Sequence, residues 1–264
     1  MSLKRVYAIF LRQFYLQSRS KTRFISSLYW PTVELFIWGL ITQYLMSLGG
    51  TPFTVLGVLI GAVIFWNFFT RIQQSMTNAF LEDVWTRNLI NLFSSPLTVG
   101  EYCMGLILTS IVTTILAIVT MTVFAALLFA YDVFQFGLYI IPFAFILCMF
   151  GWAMGIVATA AVLRMGPAAE ILVWSLPVFT MPFSGVFYPI STLPAFIHPF
   201  SYLLPTTYVF ESMRHIVGGG SFSMYYFLIA SALSLLYLVG SFVLLRYVYR
   251  LVLRRGLFTR FMTE

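Results

Sequence analysis

Charged residues are scarce in this sequence. Asp, Glu, Lys and Arg make up 9% of its 264 residues, and only two are lysines, Lys4 and Lys21. A soluble domain carries about 25% charged residues. Hydrophobic residues account for 61% of the chain, and the mean hydropathy is +0.94. A water-soluble fold of this length cannot bury so much apolar surface, so the composition excludes an ordinary globular protein and indicates a membrane protein.

The scarcity of lysine also excludes one route to ATP hydrolysis. A P-loop has the pattern G-x-x-x-x-G-K-[ST], because its lysine must reach the β- and γ-phosphates. Neither Lys4 nor Lys21 lies in a glycine-rich context. The two cysteines, Cys103 and Cys148, lie in apolar stretches and form no Cys-x-x-Cys pair. We therefore predict no ATPase activity, metal site or cofactor in this chain.

Six apolar segments approach the about 20 residues that a membrane-spanning helix needs. A tight turn is predicted at Gly49–Pro52, between the first two of them. The predicted fold class is an all-α integral membrane protein with six transmembrane helices in a single domain over residues 1–264. The predicted spans cover about Ser27–Leu48, Phe53–Thr70, Tyr102–Tyr131, Gly137–Leu163, Ala168–Val186 and Met224–Tyr249.

The basic residues orient these six spans. All but one of the 15 fall on the side of the N-terminus, and the exception is Arg214. Cytoplasmic loops are rich in Lys and Arg, so both termini are predicted to be cytoplasmic. Topology then explains the net charge of +7, and no nucleic-acid partner is predicted. The predicted cytoplasmic residues are Lys4, Arg5, Arg12, Arg19, Lys21, Arg23, Arg71, Arg87, Arg164, Arg246, Arg250, Arg254, Arg255 and Arg260.

Residues 1–25 form an amphipathic segment before the first span. Arg5, Arg12 and Arg19 are seven residues apart, and apolar residues such as Ile9 and Phe10 share another face. This pattern is typical of a helix lying in the membrane interface, in contact with lipid. A solvated basic tail is the alternative.

A polar connection over residues 73–101 joins the second and third spans. Its periodicity predicts a short cytoplasmic helix between Asn78 and Phe93. Thr98 and Glu101 have the spacing of a capping box for the third span. A solvated helix needs neither Trp85 nor Phe93, so these residues indicate a docking surface for another protein or packing against the chain's own helices.

A second long connection, residues 187–223, is apolar but interrupted by Pro189, Pro194, Pro199 and Pro205. It is too apolar for a solvated loop and too interrupted to span the membrane. Non-helical backbone at membrane depth requires surrounding protein or a water-filled cavity. We therefore predict a re-entrant helical hairpin of two short helices that enters from the outer face.

These two connections contain motifs that resemble those of a known family. The outer connection and its flanks contain Ser184-Gly185, Tyr188-Pro189, Leu193-Pro194, Leu204-Pro205-Thr206-Thr207-Tyr208 and Arg214. The cytoplasmic run NLINLFSSPLTVGEYCMG has a leucine-rich helix, a Ser-Pro-Leu-Thr step and a glycine in the third span. Together they resemble ABC-2 type exporter permeases over the whole chain. Similar permeases export O-antigen and other polysaccharides, lipo-chitooligosaccharides and anthracycline-type drugs.

The resemblance implies a permease subunit of an ATP-driven exporter in the bacterial inner membrane. Two copies would form the pore, with the first span of one pairing with the fifth of the other. Each copy would dock a separate ATPase subunit, which would bind ATP and Mg. The expected substrate is amphiphilic, namely a polysaccharide, glycolipid or lipo-oligosaccharide, and export of a drug or peptide is the alternative.

The resemblance also implies roles for particular residues. The hairpin from Tyr188 to Tyr208 would close the exit on the outer side. The implied outer-gate residues are Tyr188, Pro189, Pro194, Pro205 and Tyr208. The residues implied to couple to the ATPase are Glu82, Asp83, Trp85, Arg87, Leu89 and Phe93.

Polar and aromatic residues in the first two spans are candidates for the pore. A carboxylate within a membrane usually faces a cavity or a partner. Glu34 therefore either lines the pore or lies at a dimer contact. The alternative is an ion pair with Arg71 or Arg23. Aromatic rings can stack on sugars, flat drugs or acyl chains, and contact with lipid is the alternative. The candidates are Tyr29, Trp30, Glu34, Trp38, Phe65, Trp66 and Phe69.

Two other function classes fit the sequence less well. An ion-coupled carrier would place several ionisable residues within the membrane, whereas Glu34 is nearly alone there. An intramembrane hydrolase could be imagined from Ser184 and His198, but the chain has no G-x-S-x-G motif.

Overall fold

The computed structural model describes residues 2–48 and 53–255, and these residues form helices without any strand. The turn predicted at Gly49–Pro52 and the predicted cytoplasmic Arg260 lie outside the described residues. The α-helices are α1 (Leu3–Arg19), α2 (Lys21–Ser47), α3 (Phe53–Trp85), α4 (Leu89–Ser94), α5 (Val99–Phe129), α6 (Ile140–Met165), α7 (Glu170–Thr180), α8 (His198–Tyr202), α9 (Pro205–Val217) and α10 (Met224–Arg254). Short 3₁₀-helices lie at Val133–Tyr139, Pro167–Ala169, Pro182–Ser184 and Ile190–Thr192.

Three helical stretches in the described part of the chain are long and apolar enough to cross a membrane. They are Val99–Phe129, Val133–Met165 and Met224–Arg254, of 31, 33 and 31 residues. They coincide with the third, fourth and sixth predicted spans, so the chain is a multi-pass membrane protein. The helices of the first and second predicted spans, α2 and α3, have 27 and 33 residues and are not among these three. Their crossing of the membrane stays a prediction.

The fifth predicted span, Ala168–Val186, contains a short α-helix followed by a turn, and its crossing of the membrane stays a prediction. Its α-helix, α7, has 11 residues, or about 16 Å at 1.5 Å per residue, against a hydrocarbon core of about 30 Å. A 3₁₀ turn follows at Pro182–Ser184, and Gly185 adopts a left-handed φ of 60°. Proline cannot continue the hydrogen-bond ladder, and a left-handed residue turns the chain out of the helix.

The cytoplasmic helix predicted from Asn78 to Phe93 is wrong as a separate element. The helix of the second span, α3, continues without a break to Trp85. No Gly or Pro occurs from Ala62 to Ser95, so the sequence contains no residue that would end the helix earlier. Helix α3 ends where Arg87 adopts a left-handed φ of 56°, and the six-residue α4 follows.

Close packing of α3 on α6 forms the centre of the bundle. At Gly151 of α6, a Cβ atom would lie 2.7 Å from Cγ2 of Ile72 on α3, so only glycine permits this approach. Phe69 of α3 stacks on Phe150 of α6 with ring centroids 5.3 Å apart. Small residues that let backbones approach are typical of packed membrane helices. Helix α10 covers another face of α6.

Helix α1 packs against the beginning of α5. Its residues Val6 and Ile9 are 4% and 6% exposed. Ile9 lies against Gly105, where a Cβ atom would approach its Cγ2 atom to 2.5 Å and the carbonyl oxygen of Val6 to 3.1 Å. The helix is thus folded onto the bundle, which a solvated tail would not be. Its position in the membrane interface stays a prediction.

We expect Gly105→Ala to loosen α1, because the added methyl group would displace Ile9 and the backbone of α1. Overpacking of this kind costs about 1–3 kcal/mol. Thermal unfolding of the purified chain should shift to lower temperature, and trypsin should cut faster at Arg12 and Arg19. Gly100→Ala on the same helix is the control, because nothing lies within 4 Å of its Cβ position. Equal stability of the two variants would contradict the close packing of α1 on α5.

Candidate functional site

A cavity of about 780 Å³ lies among α1, α2, α3, α5 and α7. Three tryptophans line it, namely Trp30 and Trp38 of α2 and Trp174 of α7. Polar side chains fill much of the remaining wall. They include Gln13, Gln17, Ser26, Gln74, Ser75, Asn78, Thr109 and Thr113. The cavity therefore combines hydrogen-bonding groups with flat apolar surfaces.

Helical periodicity explains which residues line this cavity. On α2 the lining residues include Trp30, Glu34 and Trp38, and on α3 they include Arg71 and Asn78. Residues three, four, seven or eight positions apart lie on one face of a helix. Helix α2 thus presents an aromatic face with one carboxylate to the cavity, and α3 presents a mostly polar face to it.

Glu34 lines the cavity and has a hydrogen-bond partner that the sequence did not reveal. Asn67 Nδ2 on α3 donates to Glu34 Oε2 at 3.0 Å, and also to the carbonyl oxygen of Val63. Arg71 lines the same cavity one helical turn further along α3. Its Nε atom is buried and has no hydrogen-bond partner among the described residues. The side chain of Arg23, the other predicted partner of Glu34, lies outside the described ones.

The predicted pore residues fall into two groups. Trp30, Glu34 and Trp38 line the cavity, and Tyr29 contacts Trp30 with ring centroids 5.4 Å apart. The others are buried in the bundle, where they pack against aromatic residues of α6 and α9. This buried group consists of Phe65, Trp66 and Phe69, at 4%, 4% and 0% exposure. Their contact with a pore stays a prediction and would require a different arrangement of α3.

Asp83, near the end of α3, is the centre of a buried hydrogen-bond network. Its carboxylate is 1% exposed and accepts two hydrogen bonds from the guanidinium of Arg12, one of them 3.0 Å long. Tyr102 Oη of α5 donates to it at 2.7 Å, while Gln13 and Asn88 donate at 3.5 Å. One carboxylate therefore joins α1, the end of α3 and the start of α5.

The charge of Asp83 also stabilises the charged form of Arg12. Partial burial lowers the pKa of Arg12, but the hydrogen bond and the negative charge of Asp83 outweigh this effect, so the pKa is raised above its usual range. A bidentate pair of this kind is a strong, geometrically specific contact.

A second polar contact fastens the beginning of α1 to α5. Glu101 and Thr98 form the predicted capping box, which is confirmed. Glu101 also accepts a hydrogen bond from the backbone nitrogen of Ser2 at 2.6 Å and one from Arg5 at 3.4 Å. Arg5 in addition donates to the carbonyl oxygen of Pro96. The carboxylates of Asp83 and Glu101 thus hold α1 against the bundle at two points.

The predicted ATPase-coupling residues differ widely in exposure. Trp85 is 52% exposed and Arg87 is also exposed, whereas Asp83 and Leu89 are buried. Glu82 is half-buried and lines the cavity. Only part of the predicted set is therefore available to a partner in this conformation.

Trp85 and Phe93 separate the two interpretations offered for them. Phe93 packs inside the protein, with its ring centroid 5.8 Å from that of Tyr102 and 5.5 Å from that of Tyr249. Trp85 instead presents its side chain to the surface. An exposed tryptophan beside an exposed arginine is typical of a protein-docking surface.

The predicted outer-gate residues belong to a compact run of short helices. Tyr188 Oη donates to the carbonyl oxygen of Pro182 at 2.7 Å, and Tyr208 Oη donates to that of Tyr202 at 2.9 Å. Pro189 precedes a 3₁₀ turn, Pro194 is exposed, and Pro205 begins α9. The two short helices expected here are α8 and α9, while their re-entry into a membrane stays a prediction.

Buried hydroxyl groups hold this outer segment together. Ser184 Oγ and Thr206 Oγ1 are 2.7 Å apart, and Thr207 Oγ1 donates to the carbonyl oxygen of Ser201 at 2.7 Å. Such bonds satisfy polar groups that would otherwise be costly to bury. Ser184 thus has a structural role, and the nearest hydrogen-bonding contact of the His198 ring is the carbonyl oxygen of Leu193 at 3.0 Å. This arrangement does not favour a hydrolase.

An ion pair completes the outer segment. Arg214 donates to Glu211 Oε1 at 3.0 Å, which confirms the pair expected from their i, i+3 spacing. The same oxygen accepts a hydrogen bond from the backbone nitrogen of Ile190 at 2.9 Å. Arg214 also lies 3.3 Å from the carbonyl oxygen of Val186. The pair therefore connects α9 to the two turns that follow α7.

Comparison with known protein families gives a match over most of the chain. The family model of the ABC-2 type transporter covers residues 4–217, from the start of α1 to the end of α9. No curated protein matches the chain.

Proposed function

The chain belongs to the ABC-2 type transporter family, and from this premise we propose that it is the permease subunit of an ATP-driven exporter. The family supplies the transmembrane component of a transporter and associates with an ABC ATPase. The observation that supports the proposal most strongly is the family match over residues 4–217 in a chain with several membrane-length apolar helices.

The proposed arrangement has six membrane crossings and both termini in the cytoplasm of a bacterium. Helices α2, α3 and α7 would complete the set begun by α5, α6 and α10. Helix α7 would cross together with the turns that follow it, and α1 would lie in the interface. Two copies of the permease would form the pore with two ATPase subunits, which would bind ATP and Mg.

We propose that the exposed surface formed by Trp85 and Arg87 docks the ATPase. It lies at the end of α3, which is one continuous helix of 33 residues, or about 50 Å. The same helix lines the cavity with Arg71 and packs on α6. A displacement at its exposed end would therefore be transmitted along a rigid element to the cavity and the core.

The proposed substrate is an amphiphile such as a polysaccharide, glycolipid or lipo-oligosaccharide. The cavity supports this proposal because its amide and hydroxyl side chains can bind hydroxyl groups, while its tryptophans offer flat faces for rings. The resemblance of the sequence motifs to those of ABC-2 type exporter permeases supports transport in the outward direction.

We expect Trp85→Ala combined with Arg87→Glu to weaken ATPase docking by about tenfold or more, because anchors of this kind dominate interfaces. Co-purification of the permease with a co-expressed ATPase subunit measures the effect. Tyr225→Ala is the control. Tyr225 is 68% exposed at the beginning of α10, whereas Phe93, which follows α3, contacts Tyr249 near the other end of α10. Full retention of the ATPase by the double variant would contradict this docking surface, and transport by the permease without any ATPase would contradict the proposed function.

A further inference from the structure

We propose that the cavity binds the phosphate-bearing headgroup of an amphiphile, with Arg71 as the anion-binding residue. That this amphiphile is the exported substrate rests on the function proposed above, whereas the binding itself does not. The argument depends on the charges of the cavity, its hydrogen-bond donors and its tryptophans.

Arg71 has an unsatisfied donor at the cavity. Its Nε atom is buried without a hydrogen-bond partner, and no ion pair of Arg71 occurs among the described residues. Buried charged groups usually have partners, because desolvation is costly. A guanidinium group presents a planar fork of donors that fits a phosphate or carboxylate. An anion in the cavity would supply the missing partner.

The nearby carboxylates do not take this position. Glu34 accepts its hydrogen bond from Asn67, so it balances the charge of Arg71 without occupying its donors. Glu82 lies eleven residues further along α3, or about 16 Å along the helix axis. Arg71 can therefore receive an anion in the present arrangement of side chains.

The cavity also has a further donor for the phosphate oxygens. Gln74 follows Arg71 on α3 and brings a side-chain amide to the cavity. The hydroxyl groups of Ser75, Thr109 and Thr113 also line the cavity, but they already bond to one another or to backbone carbonyl oxygens. A side-chain amide donates readily to anionic oxygens. The tryptophans provide the complementary surface for an apolar chain. Trp30 and Trp174 line the cavity yet are 63% and 45% exposed, so the cavity reaches the protein surface beside them.

Tryptophan fluorescence quenching tests the proposal on the purified permease in a nonionic polyoxyethylene detergent. The probes are a dodecyl phosphate with bromine at the end of its chain and the corresponding bromododecanol. Bromine quenches nearby tryptophan, and three of the six tryptophans line the cavity. We expect saturable quenching by the phosphate at a midpoint about tenfold lower than with the alcohol.

Variants with opposite expected effects test whether the positive charge of Arg71 binds the anionic probe. Arg71→Gln should raise the quenching midpoint by about tenfold, and Arg71→Lys by less, because lysine keeps the charge but not the fork. Glu34→Gln should lower the midpoint, because it removes a negative charge beside the anion. Arg250→Gln, an exposed arginine of α10, is the control and should not change it. A misfolded protein would not gain affinity, so the Glu34 variant separates binding from stability.

Several results would overturn the proposal. Equal midpoints for phosphate and alcohol, or unchanged midpoints in both Arg71 variants, would exclude an anionic headgroup at this site. Inorganic phosphate that displaces the probe at a similar concentration would exclude the amphiphile and leave a free-phosphate site. ATPase co-purification is independent of these results, so failed quenching with intact docking contradicts this inference alone, and the reverse outcome contradicts the proposed function alone.

Discussion

Asp83→Asn is expected to lower the free energy of unfolding by about 3 kcal/mol, because it removes one partner of a buried charge network. The carboxylate accepts from Arg12, Gln13 and Tyr102, and all three are donors. An amide at this position would point its own donor group at one of them. Arg12 would lose its counter-charge, and the buried hydroxyl of Tyr102 would compete for a single oxygen.

Unfolding of the purified permease in a sodium dodecyl sulfate titration measures this effect. Asp132→Asn is the matched control, because Asp132 is exposed and accepts one hydrogen bond from the backbone nitrogen of Phe134, which Asn can also accept. It should change stability by less than about 0.5 kcal/mol. A double-mutant cycle with Arg12→Gln should show strong non-additivity. Similar losses for Asp83→Asn and Asp132→Asn would contradict the network.

Loss of the Asp83 network should also affect the proposed docking surface. Asp83 lies two residues before Trp85 and tethers α1 to that end of α3. Release of α1 would leave Trp85 on a less ordered element. We therefore infer that Asp83 acts by positioning the surface rather than by touching the ATPase, since its side chain is buried.

Local patterns predicted some features of this fold because both partners are close in the sequence. The capping box of Thr98 and Glu101 and the ion pair of Glu211 and Arg214 each span three residues, so helical geometry alone implies them. The Arg12–Asp83 pair joins residues 71 positions apart, and nothing local indicates that the two approach each other. An exposed and a buried carboxylate look the same in a sequence.

The bounds and surroundings of helices were harder to predict for physical reasons. Helix α3 ends at Trp85, two residues before the left-handed Arg87, whereas sequence patterns mark glycine or proline as the usual stop. Phe65 and Phe69 belong to the packed interior although their aromatic character suited a pore equally well, because composition does not distinguish protein contact from substrate contact. Trp30, Glu34 and Trp38 were among the pore candidates and Arg71 was a possible partner of Glu34, but nothing in the sequence indicated that Asn67 donates to Glu34.

Glu211→Ala is expected to loosen the outer segment, because it frees two donors at once. Glu211 Oε1 accepts from the backbone nitrogen of Ile190 and from Arg214, whose side chain is 15% exposed. Leaving a charged donor and an amide unpaired costs about 2 kcal/mol. The turn at Ile190 should then open locally without unfolding of the bundle, because the Ser184–Thr206 contact and α9 remain in place.

Hydrogen exchange of backbone amides measures this local opening. Amides near Ile190 should exchange about tenfold or more faster in Glu211→Ala, while those of α10 stay protected. Glu211→Gln separates the two bonds, because the amide oxygen can still accept from Ile190 but no longer balances the charge of Arg214. It should give an intermediate rate. If the outer hairpin closes the exit of an exporter, Glu211→Ala should also raise ATP hydrolysis without matching transport. Unchanged exchange at Ile190 would mean that the buried hydroxyl contacts hold this segment without the ion pair.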